Sequence, residues 1–482
     1  MNTECNDQGF LFQELASRKI VVDFAGGYLS SDGGGVFLRE LEVRSGLLRE
    51  LSECFIDRRD QRFVEHSVQS LISQRVNGLV LGYEDLNDHD ELRRDPLHGL
   101  IAGKSDPLGQ DRILERDKGK ALAAHSTLNR LELSAELVDN RYHKIQPQAE
   151  KIEALLIRRG VKAIPRKVRE IVLDFDATDD PLHGAQEGAF FHGFYRQYCY
   201  LPLYCFCGNI PLLAKLRDCK RDASEGTVEA LGEILPAIRK RFGRKVRIIV
   251  RGDASFARDP IMSWCEAEGL FYCFGLARND RLQAQLEGEF QRLQEQVNQG
   301  ALQAPCRSFV QFDYATLQSW SRPRRVIGKA EILPKGNNPR FIVTNLPAEG
   351  FKGDARAFTP AALYENIYCA RGDMENRIKE QQLDLFADRT STHWMASNQL
   401  RLWFSAFAHL LVSTLRAWVL RGTELEHASI GQIRLRLFKI AASFKISVRR
   451  IHIELCSAYP LKGLFAQIHH RFRSLAVEPA LA

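Results

Sequence analysis

The stretches Glu170-Ile-Val-Leu-Asp-Phe-Asp176 and Val246-Arg-Ile-Ile-Val-Arg-Gly-Asp253 decide how this chain is read: each is a short run of branched apolar residues closing on an aspartate. Runs of this kind predict β-strands. In an open α/β sheet, the carboxyl ends of the strands line the ligand crevice. Two neighbouring carboxylates there repel one another unless a cation lies between them. Hard oxygen donors beside phosphate suit Mg2+, which keeps several waters and takes one or two carboxylates. Two such ions ~3.5–4 Å apart serve in-line phosphoryl displacement by activating the attacking oxygen and stabilising the leaving one.

Working outward, residues 189–207 are rich in aromatics and predict two paired strands around Tyr200-Leu201-Pro202. Residues 225–242 predict an amphipathic helix, and a helix from about Pro260 leads to a strand at 270–276. Strands at 308–314, 324–332 and 340–344 break this series as a β-rich insertion, and residues 362–384 then form one long helix. Upstream, the chain reads as mainly helical, with strand character at 20–24, a turn at the glycine cluster 33–35 and a helix over 63–81. The glycines lack the Gly-Lys-Ser/Thr that would make them a phosphate loop. Downstream, residues 398–421 form an apolar helix, and the tail shows strand-like alternation at 433–437.

The long helix supplies a third acid. Tyr364, Tyr368, Arg371, Glu375 and Gln382 are spaced four, three, four and seven apart. At ~100° per residue they share an arc of ~60°. A structural face would carry Leu and Ile there; phenols, a guanidinium, a carboxylate and an amide suit a grip on DNA phosphate beside a metal ligand. Each acid has neighbours that could replace it: Asp174 on the same side of its strand, Asp179 and Asp180 in the loop, Asp259, and Asp373 on the far side of the helix. A lone strand-end aspartate is more often a cap than a ligand, so the reading rests on the trio.

Length and composition set the frame. The 482 residues suit roughly three domains, and 45% hydrophobic with 26% charged residues is the balance of a soluble globular protein. The net charge of +7 is concentrated at the end. From Ile430 onward there are nine basic residues, Arg434, Arg436, Arg449 and Arg450 among them, against Glu454 and Glu478, the footprint of a phosphate-backbone binder. The polar N-terminus lacks a signal peptide's pattern and no apolar stretch reaches the ~18 residues of a membrane span. Eleven scattered cysteines read as reduced thiols in the cytosol. Cys199, Cys205 and Cys207 lack zinc-site spacing and are assigned to the core.

At these residues the chain resembles DDE-class insertion-sequence transposases with the Tyr-Arg-Glu-Lys signature, most closely the insertion sequence thirteen-eighty family. The signature runs through Tyr368, Arg371 and Glu375, but Gln382 stands where its lysine belongs, and Lys379 lies one turn earlier as a substitute. Asp176-Ala177-Thr178 matches the Asp-x-Thr of the first acid and favours Asp176 over Asp174. The stretches 174–208, 250–279, 81–96, 126–132 and 338–346 extend the resemblance over nearly the whole chain.

The resemblance implies an α/β protein with an RNase H-like catalytic core interrupted by the β-rich insertion. Its regions would be a mainly helical N-terminal DNA-binding region (1–165), the core's first part (166–280), the insertion (281–346), the core's catalytic-Glu helix (347–390) and a helical, basic C-terminal region (391–482). It implies Mg2+-dependent cut-and-paste transposition in the prokaryotic cytoplasm at the nucleoid, with two ions held by Asp176, Asp253 and Glu375 and Mn2+ able to substitute. Water attacks at the transposon ends and the freed 3′-OH then attacks target DNA. Partners are double-stranded DNA (terminal inverted repeats and target) and a second copy of the chain on DNA; no membrane is involved. Arg371 and Tyr368 would hold the backbone near the scissile bond, with Thr178, Arg251, Lys379 and Gln382 helping. Trp320 is placed to stabilise a flipped base, or to pack the insertion's core. Rival readings are another RNase H-like nuclease, a transposase-derived DNA-binding protein without catalysis and, remotely, a glycosidase built on paired carboxylates.

Overall fold

The computed structural model describes residues 9–133, 143–351 and 358–475. The chain divides into two compact units, each assembled from separated stretches. One comprises Met1–Leu48, Arg59–Asn129 and Leu415–Ala482; the other comprises Arg49–Arg58 and Arg130–Thr414.

The larger unit is mixed α/β, built on one nine-stranded sheet. Its main strands are β1 (Glu170–Ala177), β2 (Leu203–Cys207), β3 (Ile210–Lys215), β4 (Arg247–Gly252), β5 (Phe271–Leu276), β6 (Cys306–Tyr314), β7 (Arg324–Leu333) and β8 (Arg340–Thr344). Their spatial order is β3-β2-β1-β4-β5-β8-β7-β6. β1, β2 and β3 are antiparallel neighbours, whereas β4 and β5 run parallel to β1. From β5 the sheet continues antiparallel through β8, β7 and β6. The strands of the β-rich insertion therefore extend the main sheet. Their composition explains why: Val326, Ile327, Ala330, Ile342 and Val343 are all buried, and strands covered on both faces read as continuous apolar runs.

Alternation along the strands feeds two cores. On one face, Leu173, Phe175, Leu203, Val250 and Phe274 pack with Ile157 and Val161 of α1 (Ala149–Ala163), with Leu231, Ile234 and Ile238 of α2 (Thr227–Phe242), and with Ile261 of α3 (Asp259–Ala267). On the other face, Ile249, Cys273, Ile327 and Ile342 pack with Leu363, Tyr364 and Ile367. Burying each such side chain is worth about 1.5–3 kcal/mol, so the helix bearing Glu375 is anchored to the sheet by its own apolar first turns.

Several elements differ from the sequence reading. The helix expected over 63–81 is Val68–Leu81, capped by Ser67, whose side chain accepts the backbone N–H of Ser70 at 3.2 Å. In 189–207, Gln197–Tyr200 pairs with Phe190–His192 and Asp180–Pro181 in a small separate sheet, while Leu203–Cys207 joins the main one. Pro202, which cannot donate a ladder bond, lies on the crossing between them. The strand-like tail segment is helical, starting from a Ser429–Gln432 capping box. Ile433 and Leu437 are buried four residues apart while Leu435 is exposed, which is helical periodicity. Finally, Met395–Leu420 is long and apolar enough to cross a membrane, against the expectation that no stretch is; 83% of its apolar window is buried within the protein.

In the smaller unit, Tyr28–Ser30 pairs with Ala442–Ser447, which pairs with Arg450–Leu455, so the two ends of the sequence share a sheet. Gly33–Gly35 is a buried turn whose Gly33 N–H donates to the Ile440 carbonyl at 2.8 Å. A Cβ on Gly34 would stand 1.8 Å from the Leu437 carbonyl oxygen; only glycine allows this approach.

Candidate active site

Parallel pairing sets the first two acids side by side. Arg251 of β4 lies opposite Asp174 of β1, so Asp253 and Asp176, each two residues on, emerge at adjacent strand ends. Asp253 leaves the strand and caps the short turn Ala254–Phe256, its Oδ1 accepting the Ser255 N–H at 2.9 Å.

The third acid arrives on a helix of uneven pitch. From Pro360 to Asp384 the backbone is helical, with widened π turns at Leu363–Tyr368 and Glu380–Asp384 around a tight Cys369–Arg371 turn and α4 (Gly372–Lys379). The uniform ~100° step assumed for this helix does not hold across π turns. Tyr364 is consequently buried against Phe309, with ring centroids 5.6 Å apart. Gln382 reaches back to donate to the Asp179 carbonyl at 3.1 Å. Arg371, which ends the tight turn, and Glu375, in α4, remain one turn apart and bonded to each other, Nη2 to Oε1 at 2.9 Å. Arg371 also donates from Nη1 to Asp176 Oδ1 at 3.4 Å.

Asp176, Asp253, Glu375 and Arg371 thus form one electrostatic cluster. Burial pushes the Asp176 carboxyl up to about 7, with Arg371 pulling against it and Asp253 and Glu375 adding to the rise. Tyr368 stands over the same acids: burial raises its hydroxyl, Arg371 opposes this and Asp253 reinforces it. Its Oη would lie 2.6 Å from a Cβ placed on Gly275, so a glycine on β5 makes room for the phenol.

Asp174 is otherwise engaged. It is buried and takes a two-pronged ion pair from Arg251, whose Nη1 also donates to the Ile367 carbonyl at 2.6 Å. That pair locks β1, β4 and the acid-bearing helix together, so Arg251, named from sequence as a DNA contact, is an internal strut. Trp320 is likewise internal, 8% exposed and edge-on to Tyr314 with ring centroids 5.8 Å apart. Arg434 caps the helix Val68–Leu81 by donating to the Val80 and Leu79 carbonyls at 2.8 and 3.2 Å, which leaves its guanidinium turned inward. Arg436 pairs with Glu424. Thr178 is half-buried beyond Asp176, Lys379 is exposed on α4, and Arg449 and Arg450 are exposed at the turn of the Ala442–Leu455 hairpin.

Tyr195 escaped the sequence reading. It is half-buried, and its hydroxyl is pushed up to about 12 by burial and then by Asp179, Asp176 and Asp253. It lies in the loop between Phe190–His192 and Gln197–Tyr200, with no spacing that ties it to the acids.

Among the described residues, only Asp32, Asp95 and His98 bring three ligand atoms within 4.8 Å of one another. Asp32 there already has the Lys439 ammonium at 2.6 Å, the Tyr83 hydroxyl at 2.6 Å and His98 at 3.1 Å, so that cluster is neutralised by the protein itself. The Asp176 cluster is more open, with Arg371 as its internal cation.

No curated protein matches this chain. Among solved structures, a piggyBac transposase synaptic complex with hairpin DNA is similar at 11% identity, covering 94% of this chain and 83% of that one with a TM-score of 0.41. The family model for transposase DDE domain group 1 matches residues 12–477. The chain therefore belongs to that family and is a DDE-type DNA transposase.

Proposed function

We propose that this transposase cuts and joins DNA by Mg2+-dependent phosphoryl transfer, with Asp176, Asp253 and Glu375 as its three acids. The observation that carries this reading is their convergence around Arg371, with Asp176 half-buried and its acidity suppressed. Three carboxylates gathered around one guanidinium are electrostatically costly as they stand, and their oxygen donors suit a hard divalent cation. They would hold two Mg2+ ions, which when bound supply charge neutralisation at the attacking and leaving oxygens.

The remaining work falls to the chain. Arg371 orients Asp176 and Glu375 and offers its planar fork to a backbone phosphate. Tyr368 and Tyr195 present hydroxyls at the rim, and Gln382 ties the helix to the loop after β1. Water opens the strand at each transposon end, and the freed 3′-OH attacks target DNA. The order β3-β2-β1-β4-β5, with its first three strands antiparallel and the last two parallel to β1, supports an RNase H-like core. The Tyr368, Arg371 and Glu375 spacing supports the Tyr-Arg-Glu-Lys class and the insertion sequence thirteen-eighty family. Lys379, Arg436, Arg449 and Arg450 are the exposed cations assigned to DNA, and two copies act on two ends.

The test is Glu375→Gln on end-bearing DNA. Binding to the ends should persist while Mg2+-dependent strand cleavage falls by roughly 10³-fold or more. Cleavage at the wild-type rate would remove Glu375 from the site.

A further inference from the structure

Phe10–Leu15 and Arg18–Val22 form a β-hairpin in which every residue is exposed. The register Phe10↔Val22 and Phe12↔Ile20 places these four side chains on one face. Phe24 adds to it, edge-on to Phe10 with ring centroids 6.1 Å apart. The exposures are high: 57% for Phe10, 61% for Phe12 and 89% for Phe24. The two-residue turn uses Ala16 and Ser17 at φ of 48° and 65°, a primed geometry that ordinarily calls on Asn-Gly. An isolated two-stranded hairpin is marginal in water even with a favourable turn. The outward run Phe10-Leu11-Phe12-Gln13 also lacks the lysine or proline that guards an edge strand. Nothing within the hairpin accounts for its persistence.

We propose that this hairpin is the surface through which two copies of the chain associate, apolar face on apolar face about a two-fold axis. The inference names the contact for the two-copy assembly proposed above and rests on that reading. The exposed parts of Phe10, Phe12, Ile20, Val22 and Phe24, the side chains of that one face, amount to roughly 600 Å2. Two such faces bury roughly 1,200 Å2 together, above the roughly 1,000 Å2 that a specific interface needs. A two-fold contact needs a self-complementary patch. An apolar face meets that need, and Glu14 and Arg18 at its turn end are opposite in sign. Nucleic acid would ask for an excess of cations, whereas Arg18 on this face is balanced by Glu14.

The experiment is sedimentation equilibrium of the full chain at micromolar concentration, with and without end-bearing DNA, for wild type, Phe10→Ser/Phe12→Ser and the milder Ile20→Thr. The hairpin lies outside both units' cores, so circular dichroism and thermal unfolding should match wild type. The double variant should dissociate about a hundredfold more readily, Ile20→Thr should fall between, and hydrogen exchange at residues 10–22 should slow as wild-type concentration rises. Wild type monomeric under both conditions overturns the two-copy reading and this one together. Wild type dimeric with the variants equally dimeric overturns the hairpin assignment alone. Protection of residues 10–22 that tracks added DNA and not protein concentration also overturns it, assigning the hairpin to DNA.

Discussion

Asp176→Asn should stabilise the metal-free protein far more at pH 8 than at pH 5. The carboxyl is 15% exposed, and burial foremost, with Asp253 and Glu375 behind it, lifts it from 3.8 to about 7 against the pull of Arg371. An acid whose folded value lies above its unfolded one holds its proton more tightly when folded. Its contribution to stability is therefore fully present below 3.8 and is lost as pH rises toward 7. Three pH units at ~1.4 kcal/mol each make the whole loss about 4 kcal/mol, of which about 2–3 kcal/mol accrues between pH 5 and pH 8. Asparagine has no proton to lose and escapes this cost, while every other titrating group is common to both proteins and cancels. Urea unfolding in EDTA at the two pH values should show the variant gaining about 2–3 kcal/mol over wild type on going from pH 5 to pH 8. Millimolar Mg2+ at pH 8 should then stabilise wild type and leave the variant nearly unmoved. A variant effect equal at both pH values would refute the buried-carboxylate reasoning.

Arg251→Leu leaves Asp174 buried without its cation and should cost about 3–5 kcal/mol in chemical unfolding. Arg251→Lys, which keeps the charge but not the two-pronged geometry, should recover only part of it. Trp320→Ala should cost about 3–5 kcal/mol, and Trp320→Phe much less; if Trp320→Phe unfolds like wild type yet loses cleavage, the indole has a task beyond packing. Arg371→Gln removes the cation that opposes the rise at Asp176, so the pH above which Mn2+ binds, read by calorimetry, should move upward, with cleavage reduced and end binding weakened.

Much of the nine-stranded sheet was legible because its strands are short, branched and bounded by turn residues. β4, β5, β6, β7 and β8 lie within two residues of their expected ends. What the pattern could not convey was who pairs with whom. Residues 189–207 show strand character throughout, yet Pro202 divides them between two sheets. The three strands after β5 read as an insertion because sequence order conceals that β8 hydrogen-bonds directly to β5. At the site, Arg371 and Glu375 stay one turn apart across the junction of the tight turn and α4, whereas Tyr364 leaves their face because the π turns change the helical step. Arg251, named for its place beside the acids, and Arg434, counted in the basic tail, were misleading for one reason: sequence cannot separate a guanidinium in solvent from one that neutralises a buried acid or caps a helix. Tyr195 was invisible because its position comes from a loop.

The pairing of Tyr28–Ser30 with Ala442–Ser447 has a bearing on synthesis. These partners are roughly 400 residues apart in the chain, and translation at ~5–20 residues per second separates their emergence by about 20–80 s. Until then the opening segment has no sheet to join and Gly33 no Ile440 carbonyl to receive its N–H. A nascent polypeptide holds the whole acid-bearing unit once Thr414 has emerged, whereas the other unit closes its sheet only after Ala442–Ser447 follows.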